Sequence, residues 1–254
     1  MLVPTQGPYD QFLLFGDSLI QQSCSQAAGF AFCPALQDAF IRRLDVINRG
    51  FSGYNTANAI LALPGFMPKP EQARLRFMAV FFGANDACLP GSATGQQIPL
   101  NEYKKNLRDI LEHSSVVAQK PRLILLTPPP VNEYQMETSE RARGYKDPLR
   151  SAEHTKEYAD ACRQVGAEVG VAVLDVWSIF MAKAGWKGGK PLVGSKKVAR
   201  SEVLEKLLSD GLHFRPDAYR LLYDSMMDLI QKEWPDQAPD NLRFIFRSWP
   251  EAPK

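Results

Sequence analysis

A serine stands in Gly16-Asp17-Ser18-Leu19, directly after the apolar run Phe12-Leu13-Leu14-Phe15. At the mouth of a strand turning into a helix, such a serine sits among exposed backbone N–H groups, where an acyl-transfer nucleophile belongs. Its hydroxyl is a poor nucleophile alone; it needs a base to take its proton and donors to hold the oxyanion that forms. His213, one of three histidines beside His113 and His154, stands in Asp210-Gly211-Leu212-His213-Phe214. A carboxylate three residues before an imidazole, with a glycine to ease the turn, can accept from Nδ1–H and leave Nε2 free as base. Alone, that spacing describes an ordinary turn. With Ser18 it predicts a Ser18, His213, Asp210 set.

Donors follow two further apolar runs. Asn48-Arg49-Gly50-Phe51-Ser52-Gly53 comes after Val46-Ile47, and Gly53 would let a backbone N–H approach a ligand with no Cβ in the way. Gly83-Ala84-Asn85-Asp86 comes after Phe77 to Phe82 and can aim the Asn85 amide at the same place. The Ser18 N–H, at its helix start, is the third donor. Taken singly these are turn or cap residues; at the ends of three successive predicted strands they converge. Asp17 is read as structural, its short acidic side chain accepting backbone N–H bonds at the turn. Arg49 and Asp86 are read as loop residues.

The elements that must position these groups are legible as an alternation. Apolar runs at Phe12–Phe15, Val46–Ile47, Phe77–Phe82, Leu123–Leu126 and Val171–Val176 are mostly separated by longer amphipathic segments, which predicts a parallel sheet covered on both faces. Helical stripes are predicted between Pro99 and Gln119, over Tyr158 to Val169, and from Pro216 to about Trp234. Two stretches resist the pattern. Pro128 to Arg150, opening on three prolines, is expected to be an ordered loop beside the pocket. The tail Pro235 to Lys254 carries Leu242, Phe244, Ile245, Phe246 and Trp249 and is expected to dock, with Phe246 to Trp249 over the pocket of its own or a partner subunit, or away from the site altogether. The chain, 1–254, is read as a single domain with 235–254 as its docking tail.

Composition narrows the partners. Thirty Lys+Arg against 28 Asp+Glu give a net charge of +2, far from the concentrated positive field that nucleic-acid binding requires. The cluster from Lys187 to Arg200 is read as a solvated loop. No apolar run approaches the length of a membrane span, and Met1 to Asp10 does not read as a secretory signal, so a cytoplasmic location is expected. The four cysteines, Cys24, Cys33, Cys88 and Cys162, lack zinc-site spacing and are read as buried thiols. The partner expected is a neutral small-molecule ester.

In chain order the four blocks resemble those of the SGNH (GDSL) hydrolase family, and they span Gly16 to His213. The resemblance implies a flavodoxin-like, three-layer α/β/α fold with a five-stranded parallel sheet. It also implies Ser18 as nucleophile, His213 as base and Asp210 as its orienting partner, with Ser18 N–H, Gly53 N–H and Asn85 as oxyanion donors. Neither metal nor cofactor is implied. The wordings Phe81-Phe82-Gly83-Ala84-Asn85-Asp86-Ala87-Cys88, Pro128-Pro129-Pro130 and Asp210-Gly211-Leu212-His213-Phe214 are similar to those of isoamyl acetate-hydrolysing esterases. That narrower likeness implies short acetate esters as substrates and a homodimer.

Other readings fit less well. An α/β-hydrolase would carry Gly-x-Ser-x-Gly and place its acid well upstream of the histidine. The motif Gly-x-x-x-x-Gly-Lys-Ser/Thr of a phosphate-binding NTPase is absent, as are the histidines of a zinc hydrolase. Lysophospholipase, thioesterase and carbohydrate acetylesterase activities would use the same residue set. A lipid- or carbohydrate-binding module with a dead site stands as the non-enzyme reading, against which the intact Ser18, Asp210 and His213 argue.

Overall fold

The structure is a computed structural model describing residues 9–252. Most of the Met1 to Asp10 segment therefore lies outside the described residues. The five apolar runs form β1 (Gln11–Gly16), β2 (Asp45–Gly50), β3 (Leu75–Phe81), β4 (Arg122–Leu126) and β5 (Ala172–Leu174). All pair in parallel, in the order β2-β1-β3-β4-β5. This is the expected flavodoxin-like sheet. The last run stops at Leu174 because the Asp175 side chain accepts from the Ser178 N–H and starts a helix at Val176.

Successive strand residues point to opposite faces, so each central strand feeds two cores. Phe12, Leu14, Phe77, Ala79 and Phe81 belong to one apolar cluster, while Leu13, Phe15, Met78, Val80 and Phe82 belong to the other. Burying one such phenylalanine contributes roughly 1.5–3 kcal/mol, so this double burial explains why the runs are apolar throughout rather than alternating. On the first face pack α2 (Phe32–Ala39), α8 (Val176–Lys183), α9 (Glu202–Leu207) and α10 (Pro216–Glu233). On the second pack α3 (Thr56–Ala62), α4 (Leu100–Leu111), α5 (Ser114–Gln119) and α7 (Ala152–Val169). The short α1 (Ser18–Gln21) leaves β1, and α6 (Glu133–Ala142) follows β4.

Several expectations need correction. The stripe over 99–119 is two helices, because α4 closes at Glu112 and the His113 ring then caps α5 by accepting from the Ser115 N–H at 3.3 Å. Pro128 to Arg150 is not a loop throughout. Asn132 caps the Tyr134 N–H at 3.2 Å and launches the ten-residue α6, whose polar sequence masks a helix under a proline-rich start. Nor is Lys187 to Arg200 simply solvated: Ser195 is buried, and the Lys196 N–H donates to Glu133 Oε2 at 2.8 Å. Cys33, Cys88 and Cys162 are buried as expected, but Cys24 is exposed.

The tail docks at the far end of the sheet from the strand termini that carry Ser18. The Ile245 N–H donates to the Arg42 carbonyl at 3.0 Å, and the Arg42 and Arg43 guanidinium carbons each lie 4.4 Å from the centre of the Phe244 ring. Arg42 and Arg43 lead into β2, whereas its other end, Gly50, leads to the predicted donor Gly53. Phe246 to Trp249 thus lies away from its own subunit's pocket. No helix among the described residues is long and apolar enough to cross a membrane.

Candidate active site

The strand order reverses around β1, which lies between β2 and β3; the crevice beyond the carboxyl ends of such strands is where ligands bind in open parallel sheets. Ser18 is delivered there by a tight turn. A Cβ on Gly16 would lie 2.7 Å from the Phe81 carbonyl oxygen, so only glycine lets β1 end this close to β3. Asp17 then caps α1, its Oδ1 accepting from the Leu19 N–H at 2.9 Å, which is the structural role expected of it. Ser18 faces the crevice at 5% exposure.

His213, the base expected from the sequence, arrives from the opposite end of the chain. Between α9 and α10, Leu208 bridges Phe214, and the Ser209 N–H donates to the His213 carbonyl at 2.8 Å. Gly211 has φ +90°, and a Cβ there would stand 2.4 Å from the Asn132 carbonyl oxygen. This corner sets His213 Nε2 3.0 Å from Ser18 Oγ and His213 Nδ1 2.8 Å from Asp210 Oδ2. Asp210 Oδ1 accepts from the backbone N–H groups of Leu212 and His213 at 3.1 and 2.8 Å. Burial opposes the Asp210 charge, but the hydrogen bonds from His213 and the attraction of its ring prevail and hold the carboxyl well below the usual carboxylate range. Asp210 is therefore an anion fixed against Nδ1, and Nε2 is free to accept the serine proton.

Gly53 and Asn85 reach the same cavity, of about 200 Å³, as Ser18, Asp210 and His213. Among the described residues, neither the Ser18 nor the Gly53 N–H donates to a protein acceptor. Asn85 is 5% exposed and spends one amide hydrogen on the Tyr54 carbonyl at 2.9 Å; among the described residues the other has no acceptor. Asp86 is more than a loop residue. It is fully buried, accepts from the Thr56 N–H at 2.9 Å and from the Thr56 hydroxyl, and so anchors α3 to the end of β3. Burial lifts its carboxyl to about 6 against those bonds, and lifts Asp17 to about 7. Arg49 lies within β2.

Several cavity residues carried no sequence signal: Gln96 from the loop before α4, Met136 from α6, and Arg143, Tyr145, Leu149 and Arg150 from the segment after it. The placement of Pro128 to Arg150 beside the pocket pointed toward all of these but Gln96. Met136, Tyr145 and Arg150 also line a neighbouring cavity of about 210 Å³. Among the described residues, no cluster of side chains suits a metal ion.

A parallel sheet in the order 2-1-3-4-5, flanked by helices and bearing a hydrogen-bonded serine, histidine and aspartate at its carboxyl edge, defines a three-layer α/β/α hydrolase. The chain belongs to the GDSL-like lipase/acylhydrolase family, whose model matches residues 14–221. It is 36% identical over 228 residues to the mouse isoamyl acetate-hydrolyzing esterase 1 homolog, covering 89% of this chain and 83% of that one. A GDSL esterase/lipase of Arabidopsis thaliana is 30% identical over 93% of this chain and 90% of its own. The fold is shared with a lipase/acylhydrolase from Enterococcus faecalis, with a TM-score of 0.59 and 24% identity over 94% of this chain and 100% of the other. An acetylxylan esterase from Geobacillus stearothermophilus, solved as a catalytic mutant, gives 0.59 with 18% identity over 90% and 97%. The protein is a hydrolase of the esterase/lipase type.

Proposed function

We propose that the protein is a serine esterase that hydrolyses short-chain, acetate-type esters through an acyl-enzyme on Ser18. The observation that carries this is the unbroken relay from Ser18 Oγ to His213 Nε2 at 3.0 Å and from Nδ1 to Asp210 Oδ2 at 2.8 Å, opening into one small cavity. Ser18 Oγ attacks the ester carbonyl as His213 takes its proton. The oxyanion is received by the Ser18 and Gly53 N–H groups and Asn85 Nδ2. His213 then returns the proton to the departing alcohol, activates a water, and the acid is released. A cavity of about 200 Å³ lies below the usual range of drug-sized ligand sites, which supports a small substrate.

The adjoining cavity of about 210 Å³, sharing Met136, Tyr145 and Arg150, favours as a second reading a longer acyl or alcohol group, as in a lysophospholipase. The whole chain acts as one catalytic unit in either reading. From the likeness to the isoamyl acetate-hydrolysing esterases we carry over a cytosolic location, a place in lipid catabolism and a homodimer, whose mass sedimentation velocity tests.

A fluorophosphonate probe should label the folded protein and fail to label Ser18→Ala. Hydrolysis rates for acetate, butyrate and octanoate esters of one alcohol should fall steeply with chain length. An unlabelled wild type refutes the esterase, and a preference for octanoate replaces the short-chain reading with the longer one.

A further inference from the structure

We infer that Arg150 is a positioning residue of the oxyanion hole, its buried guanidinium holding the Asn85 amide so that Nδ2, not Oδ1, faces Ser18. The inference rests on the reading of Asn85 as an oxyanion donor. A side-chain amide has nearly the same shape when its oxygen and nitrogen are exchanged, so only its hydrogen-bond partners decide which one faces the reaction. The wrong orientation would turn a lone pair toward the developing anion.

Three partners select the productive orientation. Arg150 Nη2 donates to Asn85 Oδ1 at 3.0 Å, Gln96 Nε2 donates to it at 3.3 Å, and Asn85 Nδ2 donates to the Tyr54 carbonyl at 2.9 Å. Exchange would set Nδ2 against the guanidinium and Oδ1 against a carbonyl oxygen. Arg150 Nε also donates to the Ala84 carbonyl at 2.6 Å, so two nitrogens of one rigid plane hold two successive residues after β3. The platform is itself fixed: the Leu149 N–H donates to Glu140 Oε2 at 3.2 Å, and the Leu149 carbonyl accepts from the Leu89 N–H at 2.7 Å.

Charge adds to position. Arg150 is 6% exposed, and among the described residues its bonds go to neutral oxygens with no carboxylate in ion-pair contact. A buried positive charge on the amide oxygen polarises the amide and makes Nδ2–H a better donor. The stronger Nδ2–H donor favours an anion over a neutral ester, so the effect, carried through Asn85, falls on turnover rather than on substrate binding.

The test is steady-state hydrolysis of p-nitrophenyl acetate by the full-length protein, Asn85→Ala, Arg150→Met and the double variant, each checked for folding by circular dichroism. Arg150→Met is expected to lower kcat by about tenfold to a hundredfold with KM within about twofold, and the double variant to be no slower than Asn85→Ala alone. Arg150→Lys, which keeps the charge but cannot bridge both oxygens at once, should fall between; if Arg150→Met does not fold, a Lys variant with wild-type kcat overturns the inference. With Asn85→Ala impaired, it is also overturned if Arg150→Met keeps wild-type kcat, loses only KM, or multiplies the Asn85→Ala loss in the double variant. An unimpaired Asn85→Ala instead removes the donor reading itself, and this inference falls with it.

Discussion

Asp17 offers the sharpest quantitative test because it is fully buried beside Ser18, and among the described residues Oδ2 has no hydrogen-bond partner. Burial lifts its carboxyl from the ordinary 3.8 to about 7, against the Leu19 N–H bond; nearby Asp86 adds to the rise, while His213 and Arg150 oppose it. An acid with a raised folded value favours the fold while both states are protonated and loses that advantage as the unfolded chain ionises first. Stability should therefore be fully present below about pH 4 and decline as the pH rises through about 7, at about 1.4 kcal/mol per pH unit, for a total of about 4 kcal/mol. Asp17→Asn keeps an oxygen to cap the Leu19 N–H but cannot ionise. Urea unfolding at a series of pH values between about 4 and 8 measures the difference between variant and wild type, in which any fixed offset from the amide cancels. That difference should move by about 4 kcal/mol in favour of the variant as the pH rises. Parallel pH profiles would show that Asp17 is already ionised in the fold and that the account of its burial is wrong.

Gly211→Ala should cost more than the usual roughly 1–2 kcal/mol of a left-handed backbone, because its Cβ must displace both the Asn132 carbonyl and Met136; a lowered melting temperature with weakened turnover is the expected readout, and wild-type values for both would refute the crowding. Ser18→Ala and His213→Ala should each lower kcat/KM far more than Asp210→Ala, since on the proposed mechanism Ser18 and His213 take part in the bond-making and proton transfer while Asp210 only orients the ring. Equal losses would mean that Asp210 does more than orient the ring. Asn85→Ala should lower kcat by on the order of a hundredfold or more, the worth of one oxyanion donor at about 3–4 kcal/mol.

What could be read in the amino-acid sequence was whatever is encoded locally. The five apolar runs announce strands because a sheet covered on both faces admits few polar residues, and Gly16 to Leu19 announces its turn by residue type alone. Asp210 and His213 were legible because both partners lie within one corner. Arg150 was not, because its role comes from meeting residues 65 positions away on another strand end, and nothing near it in the chain reports that. Helix α6 was missed because its polar sequence follows three prolines, and its start is set by the Asn132 cap rather than by an apolar stripe. Asp86 reads as a turn residue until Thr56, 30 positions earlier, is seen to bind it.

The separation of 195 positions between Ser18 and His213 has a consequence for the protein as it is made. Domains generally fold as units, and the N-terminal end of a chain emerges first from the ribosome. Ser18 is therefore synthesised long before its hydrogen-bond partner, and on the proposed mechanism the chain gains hydrolytic power only when the segment ahead of α10 has emerged and met the crevice. On that mechanism, chains that stop short of position 213 hold a serine with no imidazole beside it and should hydrolyse no ester, so that the order of synthesis itself withholds activity from unfinished molecules.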